Sequence, residues 1–216
     1  MATRTPLTPE RIVEAAVRVA DAGGVGAISM RNVARELGVE AMSLYHHVPG
    51  KEPLLDALVE WVFARIALPG EDMDWREGMR VRARSAREVL AAHPWALLLL
   101  DSRAQPGPAL LHHHDAVLGC LRRGGSPVAL ATRAFTVIDA YVYGFVLTER
   151  NLPFDAASAG DAAELASGML DALAAYPYMV EVVGYLSGGG AYVFADEFDE
   201  GLELVLDGLA ARLARA

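Results

Sequence analysis

The run Ser29-Met30-Arg31-Asn32-Val33-Ala34-Arg35-Glu36-Leu37-Gly38-Val39-Glu40-Ala41-Met42-Ser43-Leu44-Tyr45-His46-His47-Val48-Pro49-Gly50-Lys51 has the layout of a helix-turn-helix. Ser29 is a helix N-cap, and Val33, Ala34 and Leu37 follow at helical spacing. Gly38 supplies the permissive backbone of the turn, and a very short second helix follows over about Met42 to His47. Val33, Ala34, Leu37, Val39 and Leu44 are the residues expected to pack inward. Ala41, Met42, Ser43, Tyr45 and His46 remain outward, small or hydrogen-bonding groups suited to base edges, with Met42 able to touch a thymine methyl. Lys51 opens the next helix, so its ammonium and the free N–H groups behind it both suit a phosphate. Arg31 is a further candidate for guanine. A plain helical hairpin inside an all-α core fits the same periodicity.

Helical periodicity continues on both sides of this run. Thr8 caps a first helix with Pro9 at its first position, and Gly23-Gly24 ends it. After Lys51 a helix runs to about 67, where Pro69-Gly70 breaks it. Further helices are expected over about 74–92, 109–123, 126–150 (capped by Ser126), 161–175 and 192–214. Short helical pieces are expected at 95–100 and 176–186, with a loop over 101–108. Gly188-Gly189-Gly190 reads as a turn. The expected fold is all-α: an N-terminal three-helix helix-turn-helix domain over 1–68 and a C-terminal helical domain over 69–216.

Composition narrows the class. The 216 residues are 53% hydrophobic and 22% charged, enough apolar surface for a folded core. One cysteine, Cys120, excludes an internal disulfide framework and a cysteine-based zinc cluster. Met1 to Pro6 has no apolar signal-peptide core, and Asp139 interrupts the longest apolar run. A cytoplasmic protein without a membrane span is therefore expected. The net charge of −9 is unevenly spread. Residues 1–51 carry six Lys or Arg against five Asp or Glu, so the acidic excess lies in the body and leaves the head free to meet a polyanion.

Residues 29–51 resemble the TetR family of bacterial transcription regulators. Leu44-Tyr45-His46-His47-Val48-Pro49-Gly50-Lys51 meets that family's pattern of Leu-Tyr-x-His, an apolar residue, two variable positions and Lys. The body is similar to the tetracycline-repressor type of C-terminal domain in four pieces: His93-Pro94-Trp95, Pro106-Gly107-Pro108, Gly144-Phe145-Val146-Leu147-Thr148-Glu149, and the segment Phe198 to Gly208. The resemblance implies a repressor that binds a near-palindromic double-stranded DNA operator as a homodimer and is released by a small-molecule effector. It also implies that the helices near 126–150 and 192–214 form the dimer interface and that the C-terminal domain binds the effector. Those helices carry apolar stripes, Phe135-Ile138-Val142-Phe145-Val146 and Phe198-Leu202-Val205-Leu206-Leu209-Leu213, which read equally as intramolecular core. In the tetracycline repressor a histidine and a carboxylate meet the drug's magnesium. Here that carboxylate position falls on Thr148, with Glu149 one residue on, and 100–105 has no histidine. An apolar or aromatic effector of moderate size is expected instead.

Polar groups on apolar helices are the candidate effector contacts: His114, on one face with Leu110, Val117 and Leu121; Asp139; and Tyr143, one turn beyond it. His112, His113 and His114 point about 100° apart around a helix, so they do not converge on one ion. Neither metal nor cofactor is expected. An enzyme is the competing class, but Gly188-Gly189-Gly190 lacks the strand and lysine of a phosphate loop and Gly-x-Ser-x-Gly does not occur. A helical interaction protein that ignores DNA leaves the Tyr45 to Lys51 pattern unexplained.

Overall fold

Capping chemistry starts the N-terminal helices where the residues lead one to expect. Thr8 Oγ1 accepts the Arg11 N–H at 3.3 Å and opens α1, Pro9–Gly23. Ser29 Oγ accepts the Asn32 N–H at 3.1 Å and opens α2, Met30–Leu37. Gly38 then adopts φ 66°, ψ 35°, while its own N–H and that of Val39 return to Arg35 and Ala34 carbonyls. This left-handed residue satisfies the last carbonyls of α2 and aims the chain into α3, Ala41–Tyr45. No side chain caps α4, Lys51–Phe63.

In this computed structural model the described residues are 6–100, 106–170, 172–187 and 192–215, and among them no strand occurs. The body helices are α5 (Trp75–Ala92), α6 (Ala96–Leu100), α7 (Pro108–Arg123), α8 (Val128–Arg150), α9 (Ala159–Met169), α10 (Pro177–Ser187) and α11 (Glu197–Leu213). The all-α expectation holds. Gly188 to Gly190 and most of the 101–108 loop lie outside the described residues.

Several helix bounds differ from expectation. The helix from Lys51 ends at Phe63 rather than near 67, because Ala64 and Arg65 close it as a turn. The helix expected over 161–175 begins earlier, where Ser158 accepts the Asp161 N–H, and ends at Met169. Ser126 does not cap α8. It is buried, and Pro127 occupies the junction, its carbonyl accepting the Leu130 and Ala131 N–H groups.

Packing divides the chain into two compact units between Tyr143 and Gly144, within α8. In the first, α1 packs on α2 and α4, and α4 packs on α6 and α7. Ile12, Ala16, Val33, Leu44, Leu54 and Leu58 form the core of the head, each at most 2% exposed. In the second, Phe145 stacks on Phe194 at 4.9 Å and meets Phe198 edge-on at 5.1 Å. The two apolar stripes considered for a dimer prove to be mostly internal. Ile138, Val142, Val146, Phe198, Leu202 and Leu206 are all at most 1% exposed within the single chain. α8 is also long and apolar enough to cross a membrane by length and composition, which Asp139 alone does not prevent. That carboxylate is instead ion-paired inside the protein, as described next.

Candidate functional site

The first candidate surface is the outer side of α3. Five residues make little more than one turn, so only Leu44 is fully buried there, with Val48 behind it. Met42 is 71% and Tyr45 45% exposed, His46 is exposed, and Ala41 and Ser43 are half-buried. Arg31 and Lys51 are exposed as well. Every residue singled out for base or phosphate contact therefore reaches the surface. His47, which was not singled out, is also exposed at the end of α3. The Arg18 guanidinium meets Glu36 at 2.7 Å and ties α1 to α2, and the Asn32 amide donates to the Ala27 carbonyl at 2.7 Å. These ties hold the frame while α3 stays free.

The second candidate is a buried polar cluster formed by α5, α7 and α8. Arg82 is 1% exposed; its Nη1 lies 2.5 Å from Asp139 Oδ1, and its Nε donates to His113 Nε2 at 3.1 Å. Tyr143 donates to Asp139 Oδ2 at 3.5 Å. His114 meets Phe135 edge-on at 4.7 Å, and Phe63 of α4 lies 5.1 Å from the His113 ring and 6.1 Å from that of His114. Burial, with help from Arg82, His114 and His112, pushes the His113 imidazole down to about 3, so it is neutral. Burial raises the Asp139 carboxyl against the pull of Arg82, and together with Asp139 it pushes the Tyr143 phenol up to about 12.

The structure brings His114, Asp139 and Tyr143 into one neighbourhood and adds Arg82 and His113. His113, 1% exposed, is the buried histidine, in a row with Val117, Cys120 and Leu121, and His114 is half-buried beside it. The apolar face is wide enough to take both residues despite their angular separation. Arg82 was legible in principle. It sits in the helical row Met79, Arg82, Ala83, Ala86, Leu90, where an arginine demands a buried anion, and Asp139 is the anion that interrupts an apolar helix. Among the described residues no group of three or more His, Cys, Asp or Glu is placed to hold a metal. Thr148, at the position of the tetracycline repressor's magnesium-linked carboxylate, turns its hydroxyl back to the Gly144 carbonyl at 2.9 Å and does not fit such an ion.

Two further contacts join the head helices to the body helices inside the first unit. Asp21 of α1 accepts the Trp95 indole N–H at 2.6 Å and faces His93 Nδ1 at 2.8 Å. Glu60 of α4 accepts the Ala109 N–H at 2.6 Å and the Leu110 N–H at 3.3 Å, capping α7 from another helix. Neither was anticipated.

Residues 68–213 match the profile described as tetracyclin repressor-like, C-terminal domain, and residues 12–58 match bacterial regulatory proteins, tetR family. The chain belongs to the TetR family. It is a helix-turn-helix transcriptional regulator. The chain is 34% identical to the HTH-type transcriptional repressor DrrR1 of Streptomyces coeruleorubidus, covering 97% of this chain and 79% of the relative. It is 30% identical to the class A tetracycline repressor protein from transposon 1721 of Escherichia coli, covering 96% and 93%. Among solved structures, ActR of Streptomyces coelicolor in complex with actinorhodin superposes with a TM-score of 0.77 at 29% identity, covering 98% of this chain and 97% of that one. TetR-family proteins are regulators rather than enzymes; they bind DNA operators, dimerise and bind small-molecule effectors.

Proposed function

We propose that this TetR-family chain is a cytoplasmic, non-enzymatic repressor in which residues 1–68 read the operator and residues 69–216 dimerise and bind an effector that releases the DNA. The observation that carries the DNA reading is the one-sided burial of α3: Leu44 is fully buried while Met42 is 71% exposed. Ala41, Met42, Ser43, Tyr45 and His46 enter the major groove, with Arg31 beside them. Lys51 and the uncapped start of α4 hold a phosphate.

Effector control is supported by the buried cluster of Arg82, His113, His114, Asp139 and Tyr143. Phe63, the last residue of α4, lies against two of its rings. A ligand that favours one arrangement of these rings shifts the population of α4 positions, and with them the DNA-reading head.

The homodimer forms through α8 and α11. Because their apolar stripes are internal, the partner meets what remains outside. On α8 that includes Thr132, Thr136, Ala140 and Gly144, small residues at helical spacing, beside the exposed Val137 and Leu147. Thr132 and Thr136 donate their hydroxyls to their own helix, to the Val128 and Thr132 carbonyls, which leaves the face free for close approach. On α11 it is Leu204, 77% exposed, and the open Gly208.

The test is binding of the purified protein to the DNA upstream of its own gene, against shuffled DNA, over a salt series. Selective, salt-sensitive binding with two protomers per site is the expected result. No binding to any duplex at low salt overturns the reading.

A further inference from the structure

α9 carries Asp161, Glu164, Leu165, Gly168 and Met169 at the spacing of a single helix face, the kind of face a globular helix ordinarily buries. Here that face is open. All five residues are exposed, Leu165 to 39% and Met169 to 42%, while α9 packs on α10 and buries Ala162 and Ala166 on the adjoining side. Pro153 and Phe154, from the chain that leads into α9, line the same groove, which has a volume of about 500 Å³. That is the size of a site for a small organic molecule. A Cβ on Gly168 would meet no atom within 4 Å, so the helix leaves room there. Every residue of the groove belongs to the second unit, apart from the buried cluster around Arg82 and from the reading of that cluster as the effector site.

Charge selects the occupant. Residues 151–211 hold eleven Asp or Glu and no Lys, Arg or His. Asp161 and Glu164 lie on one helix face, where like charges repel, and neither makes an ion pair among the described residues. The Asp161 carboxylate is held in place, since Oδ1 accepts the Ser158 hydroxyl at 2.8 Å and Oδ2 the Asp155 N–H at 3.4 Å. A bare metal ion finds too few ligands, because no group of three or more His, Cys, Asp or Glu among the described residues is placed to hold one. The same face of a second copy would set like charge against like. An organic cation answers both carboxylates, and its apolar part covers Leu165 and Met169. Phe154 offers a ring to such a cation, and the Met169 thioether is a soft partner for an aromatic body.

We propose that the groove between α9 and Pro153-Phe154 is a second small-molecule site, which binds an aromatic compound bearing an ammonium group. The ammonium lies at Asp161 and Glu164, and the rings run over Gly168 between Leu165, Met169 and Phe154. Binding covers the apolar face of α9 and neutralises part of the acidic surface in one step.

Three matched probes test this on the full-length protein without DNA, read by pyrene emission: 1-pyrenemethylammonium, the neutral 1-pyrenemethanol and the anionic 1-pyrenecarboxylate. The ammonium is expected to bind about three-fold or more tightly than the alcohol and about ten-fold or more tightly than the carboxylate, a preference that high salt narrows. Glu164→Gln with Asp161→Asn removes both charges, and the Asn oxygen still accepts from Ser158, so α9 keeps its cap. In that double variant the ammonium is expected to fall to the affinity of the alcohol. Gly168→Leu is expected to obstruct the groove and weaken the ammonium about ten-fold or more. The fold accepts this change, because leucine meets no neighbour at Cβ and is the better helix former. A crystal structure with the ammonium is expected to place its nitrogen between the two carboxylates. Several results overturn the proposal: equal affinity for ammonium and alcohol, a preference that survives the double variant, binding undiminished by Gly168→Leu, no binding of any probe, or a second copy of the chain seated in the groove.

Discussion

Glu60→Ala is the perturbation that best probes how the head is held. The N-cap position of α7 is Gly107, which has no side chain to offer, and the Glu60 carboxylate takes its place on the Ala109 and Leu110 N–H groups at 2.6 and 3.3 Å. An N-cap acceptor is worth about 0.5–2 kcal/mol, and an anion at a helix N-terminus adds about 0.3–1 kcal/mol. Removing the carboxylate is therefore expected to cost about 1–3 kcal/mol of unfolding free energy in urea at an unchanged denaturant slope. Gly107→Ala supplies an independent route to the same loss. A Cβ there collides with the Glu60 carboxyl group, while the backbone at φ −87° accepts alanine without strain. The flexible carboxylate yields to it, so the cap is lost rather than the core disturbed. The cycle is then diagnostic: with Glu60 already alanine, Gly107→Ala costs almost nothing, and the double variant is no worse than the poorer single one. Additive losses, or a Glu60→Ala protein within about 0.5 kcal/mol of the parent, refute the inter-helix cap.

Three other outcomes follow from the site geometry. Arg82→Met or Asp139→Leu alone should cost about 3–5 kcal/mol, since each strands a buried charge, while the double change should recover most of that loss in urea unfolding. Because the His113 imidazole is pushed down to about 3, the unfolded chain takes up a proton there below about 6.5 and the native chain does not. Stability present above 6.5 is thus lost as pH falls toward 3, and His113→Phe should flatten that decline in thermal melts. Asp139, raised by burial, has the opposite sign. Lys51→Ala should weaken operator and non-operator DNA alike and reduce the salt slope by about 1; equal slopes would remove Lys51 from a phosphate contact.

Much of the head is legible residue by residue. Thr8 and Ser29 cap the helices they precede, Gly38 takes the left-handed turn, and Leu44 alone of α3 is fully buried. These features close within a few residues of chain, so the local alphabet contains both partners of each interaction. Where the local signal was weak, bounds slipped: α9 ends at Met169, in an alanine-rich segment that continues as Ala172, Ala174 and Ala175 and does not mark a stop.

The polar interior is of another kind. Asp139 and Tyr143 sit one turn apart and could be paired from the sequence, but Arg82 and His113 come from two other helices. Their meeting depends on how α5, α7 and α8 pack. The same holds for the depth of His113 relative to His114, for Glu60 capping α7, and for the stripes of α8 and α11 that turned inward. A hydrophobic stripe states that a face is covered without stating by what. A buried charge states that a counter-charge exists without stating where. The amino-acid order therefore settles most of the helices, the caps at Thr8 and Ser29 and the turn at Gly38, whose energetics are local. Tertiary packing alone chooses the partners of groups whose satisfaction lies dozens of residues away.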